Sequence, residues 1–117
     1  MKAEAFAALS SMGARLTPVP WAESAYYYEE IDRPGKHRHY YAGLYYIQEP
    51  SAMVPVELLG VQPGDRVLDL CAAPGGKSTQ LAAKLQGQGV LVANDNARER
   101  TKEGIGPACR RWTGCAW

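Results

Sequence analysis

The sequence is poor in the features that mark several large classes of protein. Its formal net charge is only +1 over 117 residues, so no bulk field draws in a polyanion. Any affinity for nucleic acid has to come from a local patch. Cysteine is scarce: Cys71, Cys109 and Cys115 leave one unpaired whatever bridges form, which argues against the disulfide framework of small secreted domains. No C-x-x-C pair is present, and His37 and His39 lie far from every cysteine, so the spacing of a zinc site is missing. No apolar run approaches membrane-spanning length. The Ala-rich residues 3–9 are broken by Glu4 and preceded by a single lysine, unlike the apolar stretch of a signal peptide. Internal repeats are lacking. The default expectation is a reduced, cytoplasmic, soluble monomer with no metal and no membrane partner.

What is present suits a folded chain: 46% apolar and 21% charged residues allow a core and a soluble surface. Three regions differ in character. Residues 1–47 open with a helix expected over 3–12 and ended by Gly13. An aromatic, turn-rich stretch follows, in which residues 19–21 and 44–47 read as short extended segments. Residues 48–95 are the most regular. Ser51 suits a helix N-cap, and residues 53–59 a helix carrying Val54, Leu58 and the following Val61 towards a core. Pro63-Gly64 marks a turn. Residues 66–70 then read as a strand, 71–76 as a small-residue loop, 77–85 as a helix burying Leu81, Ala82 and Leu85, and 89–93 as a second strand. Strand, glycine loop, helix, strand is one βαβ unit of a parallel, Rossmann-like sheet. Residues 96–117 break the pattern: a charged run gives way to glycine, proline, cysteine, arginine and tryptophan without period, and no third strand is expected.

The chemistry-bearing constellation is Asp69, the loop Cys71, Ala72, Ala73, Pro74, Gly75, Gly76 and Lys77, and Asp95. A loop leaving a parallel strand lies at its carboxyl end, where open α/β sheets bind ligands. Gly75 and Gly76 allow close backbone approach, and the free N–H groups of the next helix attract a carboxylate or phosphate. Asp95 falls at the end of the following strand, about twenty residues after the glycines, where a carboxylate can hold ribose hydroxyls. That spacing points to a nucleoside-containing cofactor without saying which. Gly76-Lys77-Ser78 resembles the end of a P-loop, but Cys71 stands where that motif needs glycine and Pro74 offers no N–H. The dinucleotide fingerprint G-x-G-x-x-G is absent. A methionine-derived nucleoside needs no phosphate cradle and suits a two-glycine loop better. A βαβ turn that binds nothing stays open on spacing alone.

Two blocks make a family resemblance specific. Tyr45-Tyr-Ile-Gln-Glu-Pro-Ser-Ala-Met53, followed by Val67-Leu-Asp-Leu-Cys-Ala-Ala-Pro-Gly-Gly-Lys-Ser-Thr-Gln-Leu81, resembles the RNA 5-methylcytosine methyltransferases of the Sun/nucleolar-protein type. The likeness is best to the bacterial small-subunit (16S) ribosomal RNA (cytosine-C5) methyltransferases, and Pro18-Val-Pro-Trp21, Tyr26-Tyr-Tyr28, Pro34-Gly35-Lys36 and Ala42-Gly-Leu44 also look like that subgroup. It covers roughly residues 15–95. The resemblance implies an α/β, partial Rossmann-like methyltransferase fold, its first βαβ unit preceded by a small aromatic-rich segment. It implies S-adenosyl-L-methionine as cofactor, held by Cys71 to Lys77, with Asp95 on its ribose. Asp69 would support the loop or approach the methionine amino group, and Gln48 and Ser51 would shape the same pocket.

In that family one cysteine attacks cytosine C6, so that C5 takes the methyl group, and a second cysteine helps release the enzyme. Those cysteines are expected in Asp-Ala-Pro-Cys-like and Thr-Cys-like blocks well beyond Asp95, and these 117 residues contain neither. Cys71 is expected to be a small packing residue, and Thr113-Gly-Cys-Ala116 is a poor imitation of either block. No catalytic residue is therefore assigned. The reading is methylation of cytosine C5 in ribosomal RNA by resemblance, with this chain alone inactive. The alternatives are a catalytically inactive cofactor- or RNA-binding fragment and, more weakly, P-loop-like nucleotide binding. The sequence beyond about Arg98 reads as a truncated or out-of-frame end. Arg33, Lys36, His37, Arg38, His39, Tyr40 and Tyr41 form a basic, aromatic run suited to RNA phosphates and an unpaired base, or else a solvated loop partly neutralised by Glu29, Glu30 and Asp32. Trp21 is expected to be a packing anchor.

Overall fold

The computed structural model describes residues 3–11, 13–96 and 115–116. Helix α1 spans Ala3–Ser10 and stops before Gly13, whose φ of 81° no other residue adopts as cheaply. Strand β1 (Thr17–Pro18) pairs antiparallel with β2 (Tyr26–Tyr27). The Val19 N–H donates to the Ala25 carbonyl at 3.0 Å and closes the connection. This hairpin buries Val19, Ala22 and Ala25 against Met53. The strand thus lies just before the segment expected from sequence, and Trp21 is not the anchor: it sits in the turn after Pro20, 48% exposed, while small alanines pack inward. Residues 44–47, expected to be extended, pair with no strand.

Two 3-10 turns, Glu30–Asp32 and Pro34–Lys36, flank Arg33 and lead into the short helix α2 (Arg38–Tyr41). The Tyr45 hydroxyl donates to the Pro34 carbonyl at 2.8 Å and ties the segment down.

Helix α3 spans Pro50–Leu59, starting earlier than expected, with Pro50 rather than a capped Met53 in its first turn and Glu49, not Ser51, as the flanking residue. Proline suits this position because the N–H it lacks would have no helical partner. At 100° per residue, the face turned to α4 carries Met53, Val56 and Glu57. Val56 is buried and Leu58, on the opposite side, is 83% exposed, which corrects the expectation that Leu58 points to the core; Val54 is half-buried and Val61 joins the core as expected.

The βαβ unit follows its sequence signals closely. Strand β3 (Arg66–Asp69), helix α4 (Gly76–Leu85) and strand β4 (Val90–Ala93) form a parallel pair with Val67 opposite Leu91 and Asp69 opposite Ala93. Helix α4 buries Leu81, Ala82 and Leu85 with Val56, Val61 and Leu91 in one cluster. A third parallel strand, β5 (Cys115–Ala116), pairs with Leu91 and Val92, where none was expected; two residues are too few to carry a period. The rest of the tail, including the proposed break near Arg98, lies outside the described residues. Among the described residues no helix is long and apolar enough to cross a membrane.

Candidate functional site

The carboxyl ends of β3 and β4 present Asp69 and Asp95, with the loop between β3 and α4 lying over them. The Asp95 Oδ2 accepts the Ala73 N–H at 3.1 Å. The Ala72 N–H donates to the Asn94 carbonyl at 2.9 Å, and the Asn94 side-chain amide donates to the Leu70 carbonyl at 3.1 Å. The loop is thereby stitched to the end of β4 through residues whose approach the parallel register dictates.

Asp69 is engaged by the protein itself through both oxygens. Oδ1 accepts the Cys71 N–H at 3.3 Å and Oδ2 accepts the Ser78 hydroxyl at 2.6 Å. Ser78 has no exposed surface. Of the two roles considered for Asp69, its contacts are those of loop support. The Ser78 hydroxyl, which a P-loop would offer to a metal ion, is committed to Asp69.

Gly75 precedes α4 with φ 109°, no side chain caps the helix start, and no acidic residue stands in its first turn. A Cβ at Gly76 would overlap the Gln48 Oε1 and come within 3.1 Å of the Tyr46 ring, so a larger residue there would have to displace the Gln48 side chain from the helix start. The Tyr46 hydroxyl donates to the Pro74 carbonyl at 3.0 Å. Burial and, secondarily, Tyr40 push the Tyr45 and Tyr46 hydroxyls above the ordinary tyrosine range, which keeps both as donors. Gln48 donates to Gln80 at 3.1 Å, and Gln80 to Glu57 at 2.7 Å, beside the Lys84–Glu57 ion pair at 2.7 Å. The block around Gln48 therefore reaches the helix that carries the loop; Ser51 is exposed.

Of the loop residues, Ala72 and Gly75 are buried, Ala73 and Gly76 half-buried, and Cys71, Pro74 and Lys77 exposed. Cys71 is expected to pack but is exposed: strand β3 ends at Asp69, and the turn at Leu70 and Cys71 breaks the alternation that would have carried residue 71 inward with the half-buried Val67 and Asp69. Tyr46, Ser78 and Asn94 are the supports that sequence reasoning missed. Tyr46 and Ser78 stand inside the two family blocks, which was the available signal. A cavity of about 540 Å³ lies between the N-terminal segment and α4 and touches the loop only at Gly76. Asp69 and Asp95 do not line it, so the strand-end carboxylates and not this cavity define the candidate site. Among the described residues no three His, Cys, Asp or Glu side chains converge as metal ligands.

Comparison with known proteins places the sequence among ribosomal RNA methyltransferases. The profile of the N-terminal domain of 16S rRNA methyltransferase RsmF matches residues 1–50, and that of 16S rRNA methyltransferase RsmB/F matches residues 56–110. The chain belongs to this methyltransferase family. A ribosomal RNA small subunit methyltransferase F of Vibrio cholerae is 47% identical over 93 residues, covering 75% of this chain and 20% of the relative. The protein of the same name from Serratia proteamaculans is 44% identical over the same shares. The chain thus spans about a fifth of the length of the curated relatives it matches. A methyltransferase homologue from Pyrococcus horikoshii superposes with a TM-score of 0.80 at 31% identity, over 97% of this chain and 38% of that one. The fold is accordingly a partial Rossmann-like methyltransferase fold. The family match extends past the 15–95 region in which sequence likeness was recognised.

Proposed function

We infer that the chain carries the cofactor-binding front end of an S-adenosyl-L-methionine-dependent ribosomal RNA (cytosine-C5) methyltransferase. The observation that carries the reading is the pair of strand-end carboxylates with divided duties: Asp69 braces the loop from beneath, and Asp95 meets it from the neighbouring strand. An acid at the end of β4 suits ribose hydroxyls, and an uncapped helix start after Gly75 suits a carboxylate. The residues therefore fit a nucleoside bearing an amino-acid tail. The cofactor supplies an electrophilic methyl group when bound. Cys71 to Lys77 shape its cradle, Asp95 orients its ribose, and Tyr46 fixes the loop through Pro74.

In this reading, Lys36, Arg38 and Tyr41 of the basic, aromatic segment meet RNA phosphates and an unpaired base, which their exposure supports. With neither cysteine block in its sequence, the chain by itself transfers no methyl group. Two assays test the reading. S-adenosylhomocysteine should displace a labelled cofactor from the purified chain while ATP does not; preferential ATP binding would sink the assignment. Labelled cofactor and small-subunit ribosomal RNA should give no product, and cysteine-dependent turnover would overturn the inactive reading.

A further inference from the structure

The cavity of about 540 Å³ between the N-terminal segment and α4 has the volume of a small-molecule pocket. Leu9, Leu44, Ile47 and Ala83 supply apolar wall, and Tyr45 and Tyr46 line it beside Tyr26. The Tyr45 and Tyr46 hydroxyls are committed to the Pro34 and Pro74 carbonyls, so what these two offer the cavity is ring surface. Two lining residues are charged, Asp32 and Lys84. The Lys84 ammonium is neutralised by Glu57 at 2.7 Å, whereas no cation pairs with Asp32 among the described residues. Asp32 Oδ2 is buried without a hydrogen-bond partner, and so is the Oγ1 of Thr79, a lining residue only 9% exposed. Buried polar groups in folded proteins are nearly always hydrogen-bonded, and an orphan calls for a missing partner.

We propose that this cavity is a second binding site, which takes a small molecule carrying a protonated primary amine on an apolar body. A carboxylate only accepts hydrogen bonds, so the partner of Asp32 has to be a donor. An ammonium suits it doubly. It balances a buried negative charge, and tyrosine rings attract cations through their faces. Thr79, whose hydroxyl both donates and accepts, places no further demand on charge. The apolar walls call for the body of the ligand, and a metal ion lacks its ligands, since no three His, Cys, Asp or Glu side chains converge among the described residues. The site is separate from the cofactor site: Asp69 and Asp95 lie outside it, and of the loop it touches Gly76 alone. The inference uses neither the identity of the cofactor nor that of the base.

The test is an NMR titration of the full 117-residue chain with phenethylamine, an ammonium ion at neutral pH, and with phenethyl alcohol, its neutral counterpart. Saturable one-to-one binding of the amine is expected, with amide shifts at Asp32, Thr79 and Ala83 and none at Asp69 and Asp95. The alcohol should bind at least tenfold more weakly. D32N should weaken the amine at least tenfold by removing the charge, and A83L should weaken it by filling space with the charge kept. Melting curves check that both variants fold, and the comparison of amine with alcohol decides the matter in the unaltered chain. Saturating S-adenosylhomocysteine should change the affinity for the amine less than twofold, which keeps this site distinct from the cofactor reading. No saturable binding of the amine, equal affinity for amine and alcohol, indifference to D32N, or competition by S-adenosylhomocysteine would each overturn the proposal.

Discussion

The Ser78 hydroxyl donates to the Asp69 carboxylate at 2.6 Å from a position with no solvent exposure. This bond joins the end of β3 to the first turn of α4 and spans the loop between them. Ser78→Ala removes the donor and leaves a carboxylate oxygen short of a partner. Hydrogen bonds to charged groups contribute roughly 1.5–3 kcal/mol, so the variant should lose about 2 kcal/mol of stability. Urea denaturation measures it; an unchanged midpoint would mean that the bond is replaced by solvent.

Gly89→Ala should be more damaging than its size suggests. Gly89 has φ 100°, and a Cβ there would overlap the Asp65 carbonyl oxygen and stand 2.9 Å from the Gly64 carbonyl carbon. That same Asp65 carbonyl accepts the Val90 N–H at 2.9 Å, so the clash disrupts the start of β4. Backbone strain alone costs about 1–2 kcal/mol, and the overlap adds to it. A fall in melting temperature larger than that of Gly87→Ala, whose added Cβ meets nothing, would support this; equal falls would argue that φ alone matters.

Glu57 accepts both the Lys84 ammonium and the Gln80 amide at 2.7 Å. The side chains of Lys84 and Glu57 are 28% and 18% exposed, so screening weakens the pair only in part. Glu57→Ala strands both donors between α3 and α4 and should cost about 2 kcal/mol. A double-mutant cycle with Lys84→Met should recover part of that loss; strict additivity would deny the coupling.

His37 caps α2 through Nδ1, which accepts the His39 N–H at 3.3 Å. Partial burial first, then the charges of His39 and Arg38, hold its pKa below the ordinary histidine value. The neutral form is therefore favoured in the folded state. Its contribution to stability is present above pH about 6.5 and is lost as the pH falls through the lower folded value, when Nδ1 is protonated and can no longer accept. Titration of the His37 ring resonances by NMR should give a midpoint below that of a denatured control; a higher midpoint would reverse the sign.

Much of the βαβ unit was legible because its signals are local. Pro63-Gly64, Gly75-Gly76 and Gly87 with Gly89 punctuate it, and the helix between them repeats apolar residues on one face. The N-terminal region was less so. A two-residue pairing such as Thr17–Pro18 with Tyr26–Tyr27 depends on a partner eight or more residues away, and Trp21 looked like core until the turn placed it outside. On α3, the burial of Val56 and exposure of Leu58 follow from the packing of the Met53–Val56–Glu57 face on α4, a tertiary contact that the helix's own sequence does not dictate. At the site, Asp69, the loop and Asp95 could be nominated from spacing. The bracing by Ser78 and Tyr46 could not, because it depends on how side chains from separate segments meet.

The most direct test of the cofactor reading is calorimetric titration of S-adenosylhomocysteine into the chain and into its Asp95→Ala variant, with melting curves for both. The account predicts binding by the unaltered chain and an affinity at least tenfold lower, or about 1.4 kcal/mol, in a variant that still folds. Equal affinities, or no binding by the folded unaltered chain, would contradict it.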